Sequence, residues 1–324
     1  MSFLSSLRES ASPGVAVEIA SGRVSAASIE WRGSQAVVAA HATEPLPPSA
    51  LVPALTAVNV HDRPAVLGAL GRVLERVGRP RRIGLILPDV IAKVSIVRFE
   101  QVPSSPTDLD QLVRWQIRKT APFAAEDAQI SYVAGMRADD GQEFVVSLAK
   151  RDVIVEYEQL CAEAGAYAGL VDLSTFNVIN AVLAGSPAAQ SAGDWLLVNV
   201  APDSASIALL RGPHLIFFRN RAAETDGTLA DLVHQTAMYY QDRLQGAGFS
   251  RVLLAGGLGV RGGADLDQVR QTLEERLTTP VSAVDPRTAA TIADRIAPSP
   301  ALLDTLTPLV GLLTRDRHAA AVPA

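Results

Sequence analysis

From Gly14 the chain reads GVAVEIASGRVSAASIEWRG, two β-rich runs on either side of Ala20-Ser21-Gly22, the pattern of strand, turn and strand. A second stretch, WLLVNVAPDSASIALLRGP from Trp195, repeats the pattern: a strand to Val200, a turn through Ala201-Pro202-Asp203, another strand, and the same closing Arg-Gly dipeptide. Sliding one stretch onto the other puts Glu18 over Asn199, Ile19 over Val200, Ala20 over Ala201 and Ser25 over Ser206. Such self-similarity predicts an internal duplication.

The text after each hairpin extends the match. After the first come a Pro-rich extended connection from Glu44 to Pro53, then a helix from Pro64 to Val77. Val66, Leu67, Leu70, Val73, Leu74 and Val77 recur there at helical spacing, and a buried strand follows from Ile83. After the second come a helix near Leu229 to Leu244 and a strand from Arg251 that runs into Gly256-Gly257. Each half is therefore expected to run strand, turn, strand, helix, strand. Between them lie a strand at Glu143 to Ala149, a helix at Val153 to Ala164 and an apolar run from Leu170 to Leu183. Residues from Lys93 to about Ala166 read as an α/β subdomain inserted into the first half.

Composition narrows the class. With 324 residues, 48% hydrophobic and 19% charged, the chain can bury the cores of two domains. Lys and Arg number 29 against 34 Asp and Glu, a net charge of -5, so no overall positive field draws it to nucleic acid or anionic lipid. The single cysteine, Cys161, excludes an internal disulfide framework and a Cys-based zinc site, and fits the cytoplasm. Arg8 and Glu9 interrupt the opening MSFLSSLRES, which lacks the form of a secretory signal, and no apolar run is long enough to span a bilayer. Phe3, Leu4 and Leu7 amount to one short sticky turn, too little for membrane insertion.

Five stretches in order resemble the actin-like family, and within it the PilM branch found in type IV pilus machines (the FtsA/PilM superfamily). VAVEIASGRVSAASI resembles the family's first phosphate loop. VSIVRFEQVP followed by LVRWQIRKTAPFAAEDAQISY resembles the entry to the family's inserted subdomain. LVDLSTFNVINAV resembles the return to the first domain, LADLVHQTAMYYQDRL with RVLLAGGLG the adenosine-side helix and turn, and LTPLVGLLTRD the closing helix. The resemblance implies an α/β fold, actin-like (ribonuclease H-like), duplicated into two domains. The first would span 12–190 with the insertion at about 91–166, the second 191–314, and 1–11 and 315–324 would be flexible termini. It also implies a cytoplasmic scaffold, peripheral to the inner membrane through its partner. In that branch the inserted subdomain and the first domain form a groove that receives the N-terminal cytoplasmic peptide of a PilN-like inner-membrane protein; here it would lie among residues 85–132, with Pro122 and Phe123 shaping it. PilO-like and PilP-like proteins and a pilus motor ATPase are reached indirectly, and a homo-oligomeric ring is possible in such an assembly.

The resemblance also marks a nucleotide cleft and the ways this chain departs from it. Family members that bind Mg-ATP bring backbone N–H groups close to the phosphates and use short acids to hold the metal. Their two loops read Asp-Ile-Gly; here they read Glu18-Ile19-Ala20 and Asn199-Val200-Ala201. Glu18 carries its carboxylate one methylene further out, roughly 1.5 Å, and Asn199 carries no charge. Both glycines have become alanines, and Ser25 stands where the family has a lysine. Ser21 and Gly22 complete the first turn; only Gly256-Gly257 looks intact. The expectation is a degenerate cleft, no catalytic residue, no required cofactor and no metal, with weak ATP/Mg binding at most. The rivals are an actin-like ATPase that polymerises or switches with ATP, and a type II secretion cytoplasmic subunit. The five histidines lack ligand spacing, and Cys161 reads as a small core residue. Arg114, Arg118 and Lys119 near Trp115 fit a plain amphipathic helix or contact with an acidic partner.

Overall fold

The computed structural model of the protein describes residues 13–185, 193–222, 228–257 and 266–319. The turn at Phe3, Leu4 and Leu7 lies outside the described residues, as do the expected flexible ends at 1–11 and 320–324.

The first hairpin is β1 (Val15–Ala20) with β2 (Arg23–Arg32), followed by β3 (Gln35–Pro45), helix α1 (Arg63–Arg76) and β4 (Arg82–Leu87). Helix α1 starts where Asp62 accepts a hydrogen bond from Ala65 N and Pro64 presets the first turn, and it stops before Gly78 at φ 93°. Then come β5 (Ala92–Phe99), α2 (Pro106–Arg118), β6 (Ala128–Ala138), β7 (Gly141–Lys150), α3 (Arg151–Glu163), β8 (Tyr167–Leu173) and α4 (Ser174–Gly185). The second half holds β9 (Asp194–Val200), β10 (Ser204–Arg211), β11 (His214–Ala222), α5 (Leu229–Leu244), β12 (Arg251–Gly256), α6 (Leu266–Leu277) and β13 (Val281–Ala283). The chain closes with β14 (Thr291–Ile292) and α7 (Pro300–Ala319).

The duplication is legible in the sheet order. The first sheet runs β14-β3-β2-β1-β4-β8 and the second β11-β10-β9-β12-β13, so each has a three-strand meander and then parallel neighbours. The register repeats as well: Glu18 pairs with Ser25 and Asn199 with Ser206, as the sequence overlay requires. Each meander has one strand more than the pattern predicted, β3 and β11.

Alternation along the strands sorts the two faces. Val15, Val17 and Ile19 pack with α1 and α3, whereas Ala16, between them, packs on the opposite face with α7. Leu196 and Val198 pack towards α5 and α6, whereas Trp195 and Leu197 meet Val178, Ile179 and Val182 of α4. By the same alternation Glu18 and Asn199 fall on the faces covered by α7 and α4, which lie between the halves.

Two expected boundaries move. The third sheet, β5-β7-β6, with α2 on one face, spans 92–150; α3 does not belong to it. Val153, Tyr157, Leu160 and Cys161 of α3 are buried in the core of the first half, where Tyr157 Oη donates to Asn59 Oδ1 at 2.9 Å. The second domain, expected to run to 314, gives up its last stretch: β14 pairs with β3, and α7 seals the first sheet through Leu306, Leu309, Val310, Leu312 and Leu313. Residues 315–319, expected to be loose, continue α7 as helix. Among the described residues no helix is long and apolar enough to cross a membrane.

Candidate functional site

Open α/β sheets gather ligands at the carboxyl ends of their parallel strands. Here β1 ends at Glu18-Ile19-Ala20, β4 leads into Pro88-Asp89, β8 leads into Ser174-Thr175 at the start of α4, and β12 ends at Gly256. These termini converge on a space of about 50 Å³ lined by Glu18, Ala20, Ser21, Asn199, Ala201, Gly256 and Gly257 together with Arg23, Asp89, Ser174, Asp203 and Asp304. Gly22, at the exposed tip of the turn, and Ser25 do not line it. Ser25 is fully buried and accepts from Thr43 Oγ1 at 3.3 Å.

The side chains expected to meet a nucleotide are engaged with one another. Glu18, 5% exposed, accepts from Ser174 Oγ at 3.0 Å and from Arg23 Nη2 at 3.2 Å. Asn199 donates from Nδ2 to Thr175 Oγ1 at 2.9 Å. Asp89, absent from the sequence reading, is the hub. Its Oδ1 accepts from Thr175 N at 3.0 Å, and its Oδ2 accepts from Ser206 Oγ at 2.6 Å and from the Thr175 hydroxyl. Asn220 Nδ2 in turn donates to Ser206 Oγ at 2.8 Å. The Asp89 carboxylate thus sits at the N-terminal end of α4, where the helix dipole favours an anion. Burial pushes the Asp89 carboxyl above the usual range, against the pull of the Ser206 and Thr175 hydrogen bonds. Burial raises Asp172 next door as well.

Arg23 corrects one expectation. The missing lysine at Ser25 suggested a first loop without a cation, yet Arg23, two residues earlier, reaches the same space and is tied to Glu18. Gly256 explains its own identity: at φ 77° an added Cβ would meet Val200 O at 1.9 Å, and its N–H donates to Asp304 Oδ1 at 2.6 Å. Close packing against Val200 is by itself enough to require a glycine here.

Of the acids at this space, Glu18 is paired with Arg23 and Asp89 accepts from Ser206 and Thr175. Among the described residues, Ser21 Oγ, Arg23 Nε and Asp203 Oδ2 are buried at the rim of this space with no protein hydrogen-bond partner. A space of this size suits the few waters that would bridge them.

Away from the cleft, Pro122 is exposed and Phe123 is half-buried against the Val113, Ile117 and Phe144 core of the insertion. Trp115 is 58% exposed, with Lys119 Nζ 3.9 Å from its ring centroid. Cys161 is fully buried, and burial pushes its thiol up to about 12, which suits packing rather than reactivity. The sequence overlay found Glu18 and Asn199. Asp89, Thr175 and Arg23 were missed, although Pro88-Asp89 directly after a buried parallel strand was the available signal.

No family model and no curated protein matches the sequence. Among solved structures, a Bacteroides thetaiotaomicron protein with actin-like ATPase fold and unknown function aligns with a TM-score of 0.50 at 9% identity, covering 87% of this chain and 93% of that one. The fold is thus of the actin-like class. Within that class the architecture is PilM-like: the PilM-PilN type IV pilus biogenesis complex aligns with a TM-score of 0.77 at 16% identity, over 94% of this chain and 98% of that one. The cytoplasmic domain of EpsL, an inner-membrane component of the Vibrio cholerae type II secretion system, is more distant, with a TM-score of 0.47 at 14% identity over 96% and 95%.

Proposed function

We propose that this protein is a non-hydrolysing cytoplasmic scaffold of a type IV pilus assembly machine that binds the N-terminal segment of a PilN-like inner-membrane protein. The observation that carries the reading is the cleft. Glu18, Asp89 and Asn199 are each held by protein hydrogen bonds, and phosphoryl transfer depends on positioning and charge compensation that Asn199 and the Glu18–Arg23 pair do not supply. The PilM-like architecture over nearly the whole chain supports the partner. The insertion supports it too, as a separate sheet and helix with its own core, and Phe123 at its rim. An extended segment would lay apolar side chains into pockets there. PilO-like and PilP-like proteins and a motor ATPase would be reached through the partner, and a ring of copies would add avidity.

Titration calorimetry tests the reading. The N-terminal segment of a PilN-like protein is expected to bind with a Kd of about 1 µM, about -8 kcal/mol, and Phe123→Ala to weaken it about tenfold in the folded fraction. Mg-ATP is expected to give no turnover and no thermal shift, whereas a ligand at 100 times its Kd would add about 2.7 kcal/mol. A flat peptide titration with folded protein removes the scaffold; Mg-dependent turnover restores the ATPase.

A further inference from the structure

We propose that Asp89, Thr175, Ser206 and Asn199 form a latch that holds the two halves shut, making the cleft a fixed joint rather than a hinge. This inference does not depend on the partner peptide.

The latch is made of bonds that cross from one half to the other. Asp89 leaves the end of β4 and Thr175 opens α4, both in the first half; Ser206 on β10 and Asn199 on β9 belong to the second. Ser206 Oγ donates to Asp89 Oδ2 at 2.6 Å and Asn199 Nδ2 to Thr175 Oγ1 at 2.9 Å. Thr175 ties the two crossings together, because its hydroxyl donates to Asp89 while accepting from Asn199. Asn220 completes the second half's side by donating to Ser206 at 2.8 Å. Asp89, Thr175, Ser206 and Asn199 are between 0% and 8% exposed, so separating the halves would strip a carboxylate of donors inside a buried site. A third crossing, Gly256 N to Asp304 Oδ1 at 2.6 Å, joins β12 to α7, which lies on the first sheet.

The other contacts between the halves have a different character. Val178, Ile179, Val182 and Leu183 of α4 meet Trp195, Leu197 and Leu210 in a greasy layer, over which helices can slide or rotate with small changes of packing. The directional bonds sit at the N-terminal end of the same helix, beside the loops, where they oppose opening most effectively. A cleft that needed to admit and release a ligand would gain nothing from crossing bonds between its own walls.

The test reads the relative position of the halves directly. Spin labels at Glu75→Cys on α1 and Gln235→Cys on α5 report the distance between the outer helices, and Cys161, wholly buried, escapes labelling. The expected result is one narrow distance distribution for the labelled parent. Ser206→Ala with Asn199→Ala, which removes the two crossings made between side chains and leaves the Gly256–Asp304 bond, is expected to raise the population at longer distances at least tenfold. The folded double variant is also expected to melt in two calorimetric steps where the parent melts in one. An unchanged narrow distribution and a single transition in the folded double variant overturn the latch. Should the double variant fail to fold, Ser206→Ala alone, which deletes one hydroxyl, is read by the same two outcomes.

Discussion

Asp194, the first residue of β9, is held through both its carboxylate and its carbonyl. Its Oδ1 accepts from Arg211 Nε at 2.9 Å, its Oδ2 from Arg211 Nη2 at 2.8 Å and from Tyr240 Oη at 2.9 Å, and its carbonyl accepts from Ser250 N at 2.8 Å. The fork of Arg211 holds the Asp194 carboxyl below the usual carboxylate range. An acid whose pKa is depressed on folding stabilises the fold above its unfolded pKa, near 3.9, and loses that contribution as the pH falls through the folded value. Asp194→Asn is therefore expected to cost about 1–2 kcal/mol at pH 7, the upper end of the range for charged hydrogen bonds being discounted because Arg211 is half-exposed. The gap between variant and parent should narrow below about pH 4, which urea titrations across pH 2–7 will read. A constant gap would mean that the charge is irrelevant.

Helices α4 and α7 cross so closely that there is no room for a side chain at the crossing. A Cβ on Gly311 would meet Asn177 O at 1.7 Å and Ala181 N at 2.9 Å, both backbone atoms that cannot swing aside. Alanine is the better helix former by about 1 kcal/mol, yet Gly311→Ala is expected to destabilise the protein by about 2 kcal/mol through overpacking. Gly71→Ala on α1, where nothing lies within 4 Å, is expected to be neutral or stabilising. The denaturant midpoint should fall for Gly311→Ala and stay level or rise for Gly71→Ala. The same scale shows what the sequence could reveal. Helices α1 and α5 and both hairpins were legible because their apolar spacing is local. β3 escaped because the small residues in QAVVAAHATEP blur its alternation, and β11 because Arg219 and Arg221 break it. The home of α7 was not legible at all, since an apolar helix does not say which sheet it covers. At the site, aligned hairpins exposed Glu18 and Asn199, whereas Asp89 meets partners 86 and 117 positions away in sequence. No local pattern encodes such a meeting.

For the molecule as a whole, the return of the chain to the first sheet governs stability. Ala16, Ala27, Val38 and Ile86 are buried against α7, and without it an apolar sheet face would meet water. A chain ending at residue 299 is expected to be insoluble, and the separate peptide 300–319, supplied during refolding, to recover soluble protein; a soluble, monomeric truncation would contradict that role for α7. The wiring also bears on the protein's birth. Domains generally complete themselves in the order in which the ribosome delivers them. Here the first half can shelter β1 to β4 beneath α1 and α3 early, but its other face stays bare until α7 is translated. The nascent chain therefore carries a greasy surface, a natural client for a holding chaperone, until α7 leaves the exit tunnel.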